Sequence, residues 1–298
     1  MKIFDCITYF NEPMLFELRL NILDKFVDRF VVSEATFTHS GERKKINFKL
    51  ENFPKFKNKI THIVVEKEPE DLIEIKGLEK INNSLLRLNA QKRIEKQREG
   101  LANFLKDKDA NDWIIYSDSD EIPDLTKVDM LNEKSKIILF KQKIFHYKFN
   151  LVSESHNWFG SKACRLKDLR TITDLRNIKT KKYPLWRADV FFKKNKYINV
   201  KIIDEGGWHF TELKTPREIF LKHKNDENHD EFDLTGITQA DIEDMVKNAY
   251  ITYDHNIDKA NFKKKWNRQN RIYLTKINDN KLPNYLINNK NKYLNWFA

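Results

Sequence analysis

Trp113-Ile114-Ile115-Tyr116-Ser117-Asp118-Ser119-Asp120-Glu121-Ile122-Pro123 is the stretch that decides the fold. Its first four residues are β-branched or aromatic and read as a buried strand. The run then stops in three acids and a proline. In open α/β sheets, ligands bind beyond the carboxyl ends of the strands. Upstream, the same grammar repeats. Ile3 to Phe10 reads as a buried strand, and Asn11-Glu12-Pro13 as a turn. Leu15, Leu18, Ile22 and Phe26 recur at helical spacing. Phe30-Val31-Val32 and Ile60 to Val65 are two more strands, and Ala90 to Lys106 is a helix with Ala90, Ile94, Leu101 and Leu105 on one face. Strand, helix, strand, strand, helix, strand predicts an α/β fold: a Rossmann-like, mostly parallel central sheet flanked by helices. The acidic cluster sits at one strand end, and Asn11 and Glu34 at two others.

The chain has 298 residues, enough for one large α/β domain or two small ones. Hydrophobic residues make up 40% of it, which excludes wholesale disorder. The net charge of +11 favours anionic partners, but the lysines are scattered and read as a solvated surface. Arg/Lys runs with interleaved aromatics are absent, so nucleic acid is not an expected partner. Two cysteines, Cys6 and Cys164, cannot build a disulfide framework or a zinc site. Met1 to Cys6 reads as a strand rather than a leader, and no run of ~18 apolar residues occurs. The expectation is a cytoplasmic protein, with peripheral contact at an anionic inner membrane face as a further option.

The second half is less regular. Ile137 to Phe145, Phe191-Phe192 and Tyr197 to Ile203 read as strands. Thr215-Pro216-Arg217-Glu218 has the form of a capping box, and Thr238 to Tyr250 is a second capped helix. The tail from Asp258 is basic, Asn-rich and aromatic.

Asp118-Ser119-Asp120 carries the chemistry. Two carboxylates converging at a strand end suit Mn²⁺ or Mg²⁺, hard ions that seek oxygen. Such an ion bridges a diphosphate and stabilises charge on a leaving group. The competing reading is a solvated acidic loop. Arg98 shares a helix face with Ile94, Leu101 and Leu105. It reads either as a diphosphate contact or as a guanidinium snorkelling to pair with Glu95 or Glu99. Asn11 and Glu34 read as ribose or uracil contacts, with a plain turn as the alternative at Asn11. Lys44-Lys45 reads as a solvated pair, and His39, His62, His146 and His156 carry no assigned role.

Several of these segments together resemble one family. Asp5-Cys6-Ile7-Thr8-Tyr9-Phe10-Asn11-Glu12, Leu15-Phe16-Glu17-Leu18-Arg19-Leu20-Asn21 and Val31-Val32-Ser33-Glu34-Ala35-Thr36-Phe37-Thr38-His39-Ser40-Gly41 resemble the opening of glycosyltransferase family 17. Its best-known members are β1,4-N-acetylglucosaminyltransferases. Ser117-Asp118-Ser119-Asp120-Glu121-Ile122-Pro123 resembles its acidic motif, and Gly206-Gly207-Trp208-His209-Phe210 its Gly-Trp-His segment. The resemblance covers about residues 3–230 and keeps the motif order. It implies an A-type glycosyltransferase fold, a UDP-sugar donor, a glycan or glycolipid acceptor, a divalent metal and inversion at the anomeric carbon. Donor sugar and acceptor do not carry over by themselves.

The expected organisation is a transferase domain over 1–230, with a nucleotide-sugar half to about 125 and an acceptor half over 126–230. Residues 231–298 form a helical C-terminal extension packed on it. Asp118 and Asp120 are the expected metal ligands, with Asp118 also a donor contact, and His209 completes the metal site. Gly206 and Gly207 imply a backbone under close approach. Glu205 and Asp204, just before them, are the expected base candidates, with Glu154 and Asp189 outside choices. Two other classes compete: a silent nucleotide-sugar or polyanion-binding module, and a metal-dependent phosphohydrolase. Metal-dependent binding without turnover marks the first, and phosphodiester cleavage the second.

Overall fold

The computed structural model describes residues 1–75, 81–181, 183, 193, 195–226, 228–254 and 268–298. Asp189 and the Phe191-Phe192 strand lie outside them. The N-terminal half follows the expected order: β1 (Ile3–Thr8), α1 (Pro13–Leu23), β2 (Arg29–Ala35), β3 (Ile60–Val65), α2 (Ile81–Leu105) and β4 (Trp113–Asp118). β4, β1, β2 and β3 lie side by side and parallel. Alternation splits each strand between two cores. Ile7, Trp113 and Ile115 face α1 with Leu15, Phe16 and Leu20. Cys6, Ile114 and Tyr116 face the other side with Leu101 and Leu105 of α2. Burial on both faces is why β1, β2 and β4 read as largely apolar runs, while β3 at the sheet edge stays half-exposed.

Asp5 lies on the α1 face of β1 and is fully buried, as is Arg19 of α1. The Arg19 guanidinium donates to both Asp5 oxygens, at 2.6 and 2.5 Å, and to the Glu121 carbonyl. This buried fork ties strand, helix and acidic turn together.

α2 begins nine residues before the apolar face at Ala90 becomes readable. Its early turns draw on tertiary support rather than pattern. Arg87 donates to Glu231 at 2.6 Å and to Asn228 at 3.0 Å, both from the C-terminal region.

The second half builds β5 (Glu121–Pro123), β6 (Ile137–Phe140), β7 (Gln142–His146), β8 (Leu151–Trp158), β9 (Lys162–Arg165), α3 (Ile172–Arg176), β10 (Val200–Ile203) and β11 (Gly207–Thr211). Two features depart from a simple parallel sheet. β9 inserts antiparallel between β4 and β6, so the large sheet runs β10-β6-β9-β4-β1-β2-β3. A second sheet forms in the order β14-β8-β7-β11-β5, where β14 is Thr275–Lys276. The single strand expected over Ile137 to Phe145 breaks at Lys141, and its halves join different sheets. The Lys141 amide donates to the Ile203 carbonyl at 3.0 Å, and its carbonyl accepts from Gly206 at 2.7 Å.

The chain crosses between the sheets along one seam: β4 to β5, β6 to β7, β8 to β9 and β10 to β11. Glycines sit where the crossings press together. A Cβ on Gly206 would lie 2.6 Å from the Ile203 carbonyl, and one on Gly207, at φ +136°, 2.2 Å from the Ile122 carbonyl. The close approach expected of this pair is therefore a strand-to-strand contact.

The last third holds α4 (Pro216–Asn225), α5 (His229–Thr235), α6 (Gln239–Lys247), β12 (Tyr250–Ile251), β13 (Ile272–Tyr273) and α7 (Asn284–Asn288). The expected capping box forms at Thr215/Glu218, and the second capped helix has a box of its own at Thr238/Asp241. The tail is not purely helical. β14 completes the second sheet, and α7 packs on α1. Among the described residues no helix is long and apolar enough to cross a membrane.

Candidate functional site

A cavity of about 1020 Å³ opens at the seam, bounded by α2, the acidic turn, β11 and α4. Asp118 ends β4 and Asp120 precedes β5, so the acidic turn is itself a crossing between sheets. Glu121 holds that crossing. Its carboxylate is fully buried and accepts the Asp118 amide at 2.8 Å, Trp158 Nε1 at 2.5 Å and two Arg176 nitrogens at 2.9 Å. Gly160 leaves room for it, since a Cβ there would sit 2.3 Å from the Glu121 carboxyl carbon. Glu121 therefore shapes the turn, and the two aspartates are left to face the cavity.

Each aspartate carries its own cations. Asp118 accepts from Arg176 at 2.5 Å and from the Tyr116 hydroxyl at 3.2 Å, and Arg98 Nε donates to that hydroxyl at 3.0 Å. Burial opposes ionisation of Asp118, but Arg176 and then Arg98 outweigh it and hold the carboxyl below the usual carboxylate range. Asp120 lies 3.2 Å from Lys222 Nζ of α4 and 3.5 Å from His209 Nε2 of β11. Burial again works against the charge, and Lys222 and His209 overcome it, so Asp120 stays ionised far below neutrality. β5 and β11 pair His209 directly with Glu121, which sets the imidazole across from the turn. The Trp158 ring packs against it at 5.2 Å.

Of the expected site residues, Asp118, Asp120, Arg98 and His209 all line the cavity. Asn11, Glu34, Asp204 and Glu205 do not. Glu34 is fully buried, and its oxygens are taken by Lys44 at 2.5 Å and by the amides of Asn47 and Phe48 at 2.7 and 3.0 Å. It pins the segment after β2. The Asn11 carbonyl accepts Lys214, while its neighbour Glu12 turns inward, and Ser119 Oγ donates to Glu12 at 3.1 Å. Asp204 is 76% exposed and pairs with Lys141; Glu205 is 55% exposed and faces Lys127 and Lys281. Both sit on the β10–β11 turn, and His209 reaches the cavity only after the strand has travelled several residues, at about 3.4 Å each. Glu154 is exposed on β8.

The sequence reading passed over Arg176, Glu12, Lys222 and a buried relay. Glu212 Oε1 and Oε2 face His223 Nε2 at 2.9 Å and His146 Nδ1 at 3.4 Å. Asp226 Oδ2 lies 3.7 Å from His223 Nδ1. All four line the cavity. Glu212 adopts φ +59°, a sparsely populated backbone conformation for a non-glycine residue. Burial would raise its carboxyl, but His146 and His223 drive it well below the usual range. His223 moves the other way: burial lowers it, while Asp226 and Glu212 raise it to about 9. Because that value exceeds the unfolded one of about 6.5, the His223 contribution to stability is complete below pH ~6.5 and fades as pH rises through about 9. Melting temperatures of the native protein should fall across that window, and His223→Gln should flatten the slope. Equal slopes in both would remove His223 as its source.

Asp120 and His209 offer one oxygen and one nitrogen to a common point. Among the described residues no three His, Cys, Asp or Glu side chains form a metal cluster. A Mg²⁺- or Mn²⁺-like ion needs only one or two protein ligands when substrate phosphate and water supply the rest. The pair fits that requirement, with Asp118 across the turn. Sequence distance hides Lys222 and Arg176 from any motif, since they arrive on α4 and α3.

No curated protein matches the chain. HddC from Yersinia pseudotuberculosis is 12% identical, with a TM-score of 0.33 over 69% of this chain and 92% of that one. The inositol-1-phosphate CTP transferase from T. maritima is 13% identical, with a TM-score of 0.34 over 75% of this chain and 96% of that one. Likeness at that level says nothing of activity. The family model described as glycosyltransferase family 17 matches residues 1–296, well past residue 230 where the resemblance of motifs stopped. The match takes in the acidic turn, the seam and the C-terminal elements alike, and the chain is a glycosyltransferase of family 17.

Proposed function

We propose that the protein transfers a sugar, N-acetylglucosamine by its family, from a UDP-sugar to a hydroxyl of a glycan or glycolipid, with inversion. The observation that carries this is the acidic turn facing a large cavity with Arg98, Arg176 and Lys222 around it. That charge pattern suits a diphosphate: carboxylates for a bridging cation, and guanidinium and ammonium groups for the remaining oxygens. Asp120 and His209 would hold Mn²⁺ or Mg²⁺, with Asp118 contacting the ion or the ribose. The ion supplies charge stabilisation to the departing diphosphate.

The chain's own residues do the rest. Glu121 and Arg176 keep the turn rigid, so the carboxylates need no reorganisation. Glu212 takes the place of Glu205 and Asp204 as the acid on the acceptor side. It lines the cavity and is aimed by two imidazoles, which places it to take the hydroxyl proton as the new bond forms. Glu212→Gln should lower turnover by about two to four orders of magnitude with UDP affinity near normal. Near-normal turnover would remove Glu212 from this role.

Release of nucleoside diphosphate, screened over UDP- and GDP-sugars with Mn²⁺ and Mg²⁺, tests the whole reading. UDP release that needs an added sugar acceptor supports transfer. Donor binding without release under any acceptor would contradict it.

A further inference from the structure

The Asp120–Lys222 pair poses a problem that the metal reading must answer. Lys222 Nζ lies 3.2 Å from Asp120 Oδ2, and His209 Nε2 lies 3.5 Å from Oδ1, so both oxygens already face a nitrogen. A divalent ion and an ammonium cannot share one carboxylate at that range without strong repulsion. A second feature points the same way. Among the described residues His209 Nδ1 is buried with no hydrogen-bond partner. Ligation through Nε2 would put the proton on Nδ1, where no acceptor receives it, and ligating histidines normally have one there. The site should hold a metal weakly by itself.

We propose that Lys222 couples metal and donor binding: it neutralises Asp120 in the donor-free protein and transfers its charge to the donor's diphosphate when a divalent ion takes Asp120. The inference rests on the metal-dependent reading above. Lys222 is built for the exchange. It stands on α4, whose capping box fixes the backbone, so the change is confined to an unbranched side chain. Its side chain is 25% exposed and lines the cavity, so the head can swing without leaving the site. Glu12, Glu212 and Asp226 line the same cavity, so acids still face the ammonium once it leaves Asp120. The diphosphate gives the displaced ammonium a new anion, and the vacated carboxylate oxygen gives the ion its ligand. Each event then lowers the cost of the other. By linkage the gain is reciprocal: UDP strengthens Mn²⁺ binding by the factor by which Mn²⁺ strengthens UDP binding.

The test is a binding cycle on the full chain, with Mn²⁺ and UDP as probes. Mn²⁺ affinity is measured by electron paramagnetic resonance, without and with saturating UDP, for the native protein, Lys222→Gln and Lys222→Arg. Gln can still donate a hydrogen bond to Asp120, which spares the fold, and circular dichroism checks this. In the native protein UDP should tighten Mn²⁺ binding by about tenfold or more. Lys222→Gln should bind Mn²⁺ several-fold tighter without UDP, and the enhancement by UDP should fall several-fold below the native one, the remainder coming from the diphosphate's own ligation of the ion. Lys222→Arg should keep a strong enhancement. If Lys222→Gln binds Mn²⁺ no tighter and shows the native enhancement, the coupling role is overturned while metal dependence stands. If no protein binds Mn²⁺ even with UDP, both fall together.

Discussion

Arg19→Ala should destabilise the protein by about 3–5 kcal/mol, since it strands the buried Asp5 carboxylate without a partner. For a chain of this size that corresponds to a fall of roughly 5–8 °C in melting temperature. The fork also reaches the Glu121 carbonyl, so the loss should loosen the acidic turn before it unfolds the sheet. Activity at a fixed temperature should therefore fall further than the folded fraction does. The double variant Asp5→Leu/Arg19→Met should recover much of the stability, because apolar replacement of a buried ion pair is often neutral. It should not recover the turn. A single variant that melts within a degree or two of the native protein would show that the fork is not a structural anchor.

Asp120→Asn should cut transfer by about three orders of magnitude, roughly 4 kcal/mol of barrier, through loss of charge at the ion and diphosphate. Asparagine keeps the shape and one acceptor for Lys222. The fold cost should be a few degrees, arising from the half-buried ammonium left without its counter-charge. Asp120 is thus not a silent position for the fold, as a purely metal-facing carboxylate would be. Turnover within tenfold of the native enzyme at saturating donor would remove Asp120 from the reaction.

Much of the N-terminal half was legible because its physics is local. β1, β2 and β4 are buried on both faces and print as largely apolar runs, and the edge strand Ile60–Val65 matches the expected strand end to end. The acidic turn was legible for the same reason: a strand must stop where carboxylates begin. The second sheet was not. β6 and β7 are one run in the sequence, and only the Lys141 hydrogen bonds assign its halves to different sheets. β9 has four residues and two charges, too little for any period to show. Glu34 lies off the cavity because a strand end marks where a side chain sits and not what occupies it; backbone amides of the following segment take its oxygens. Asp204 and Glu205 lie away from the cavity despite their proximity to His209 in sequence, because an extended strand converts that proximity into distance. The missed residues share the opposite cause. Arg176 and Lys222 stand more than fifty residues from the aspartates they pair with, and folding alone brings them there.

The central claim is that the seam cavity binds the diphosphate of a nucleotide-sugar at Asp120. A crystal structure with UDP and Mn²⁺ tests it most directly. The diphosphate should lie between the acidic turn and α4, with the ion on Asp120 and His209 and with Lys222 turned from Asp120 to a phosphate oxygen. A diphosphate bound away from the turn, with Lys222 still on Asp120 and no ion between Asp120 and His209, would contradict it.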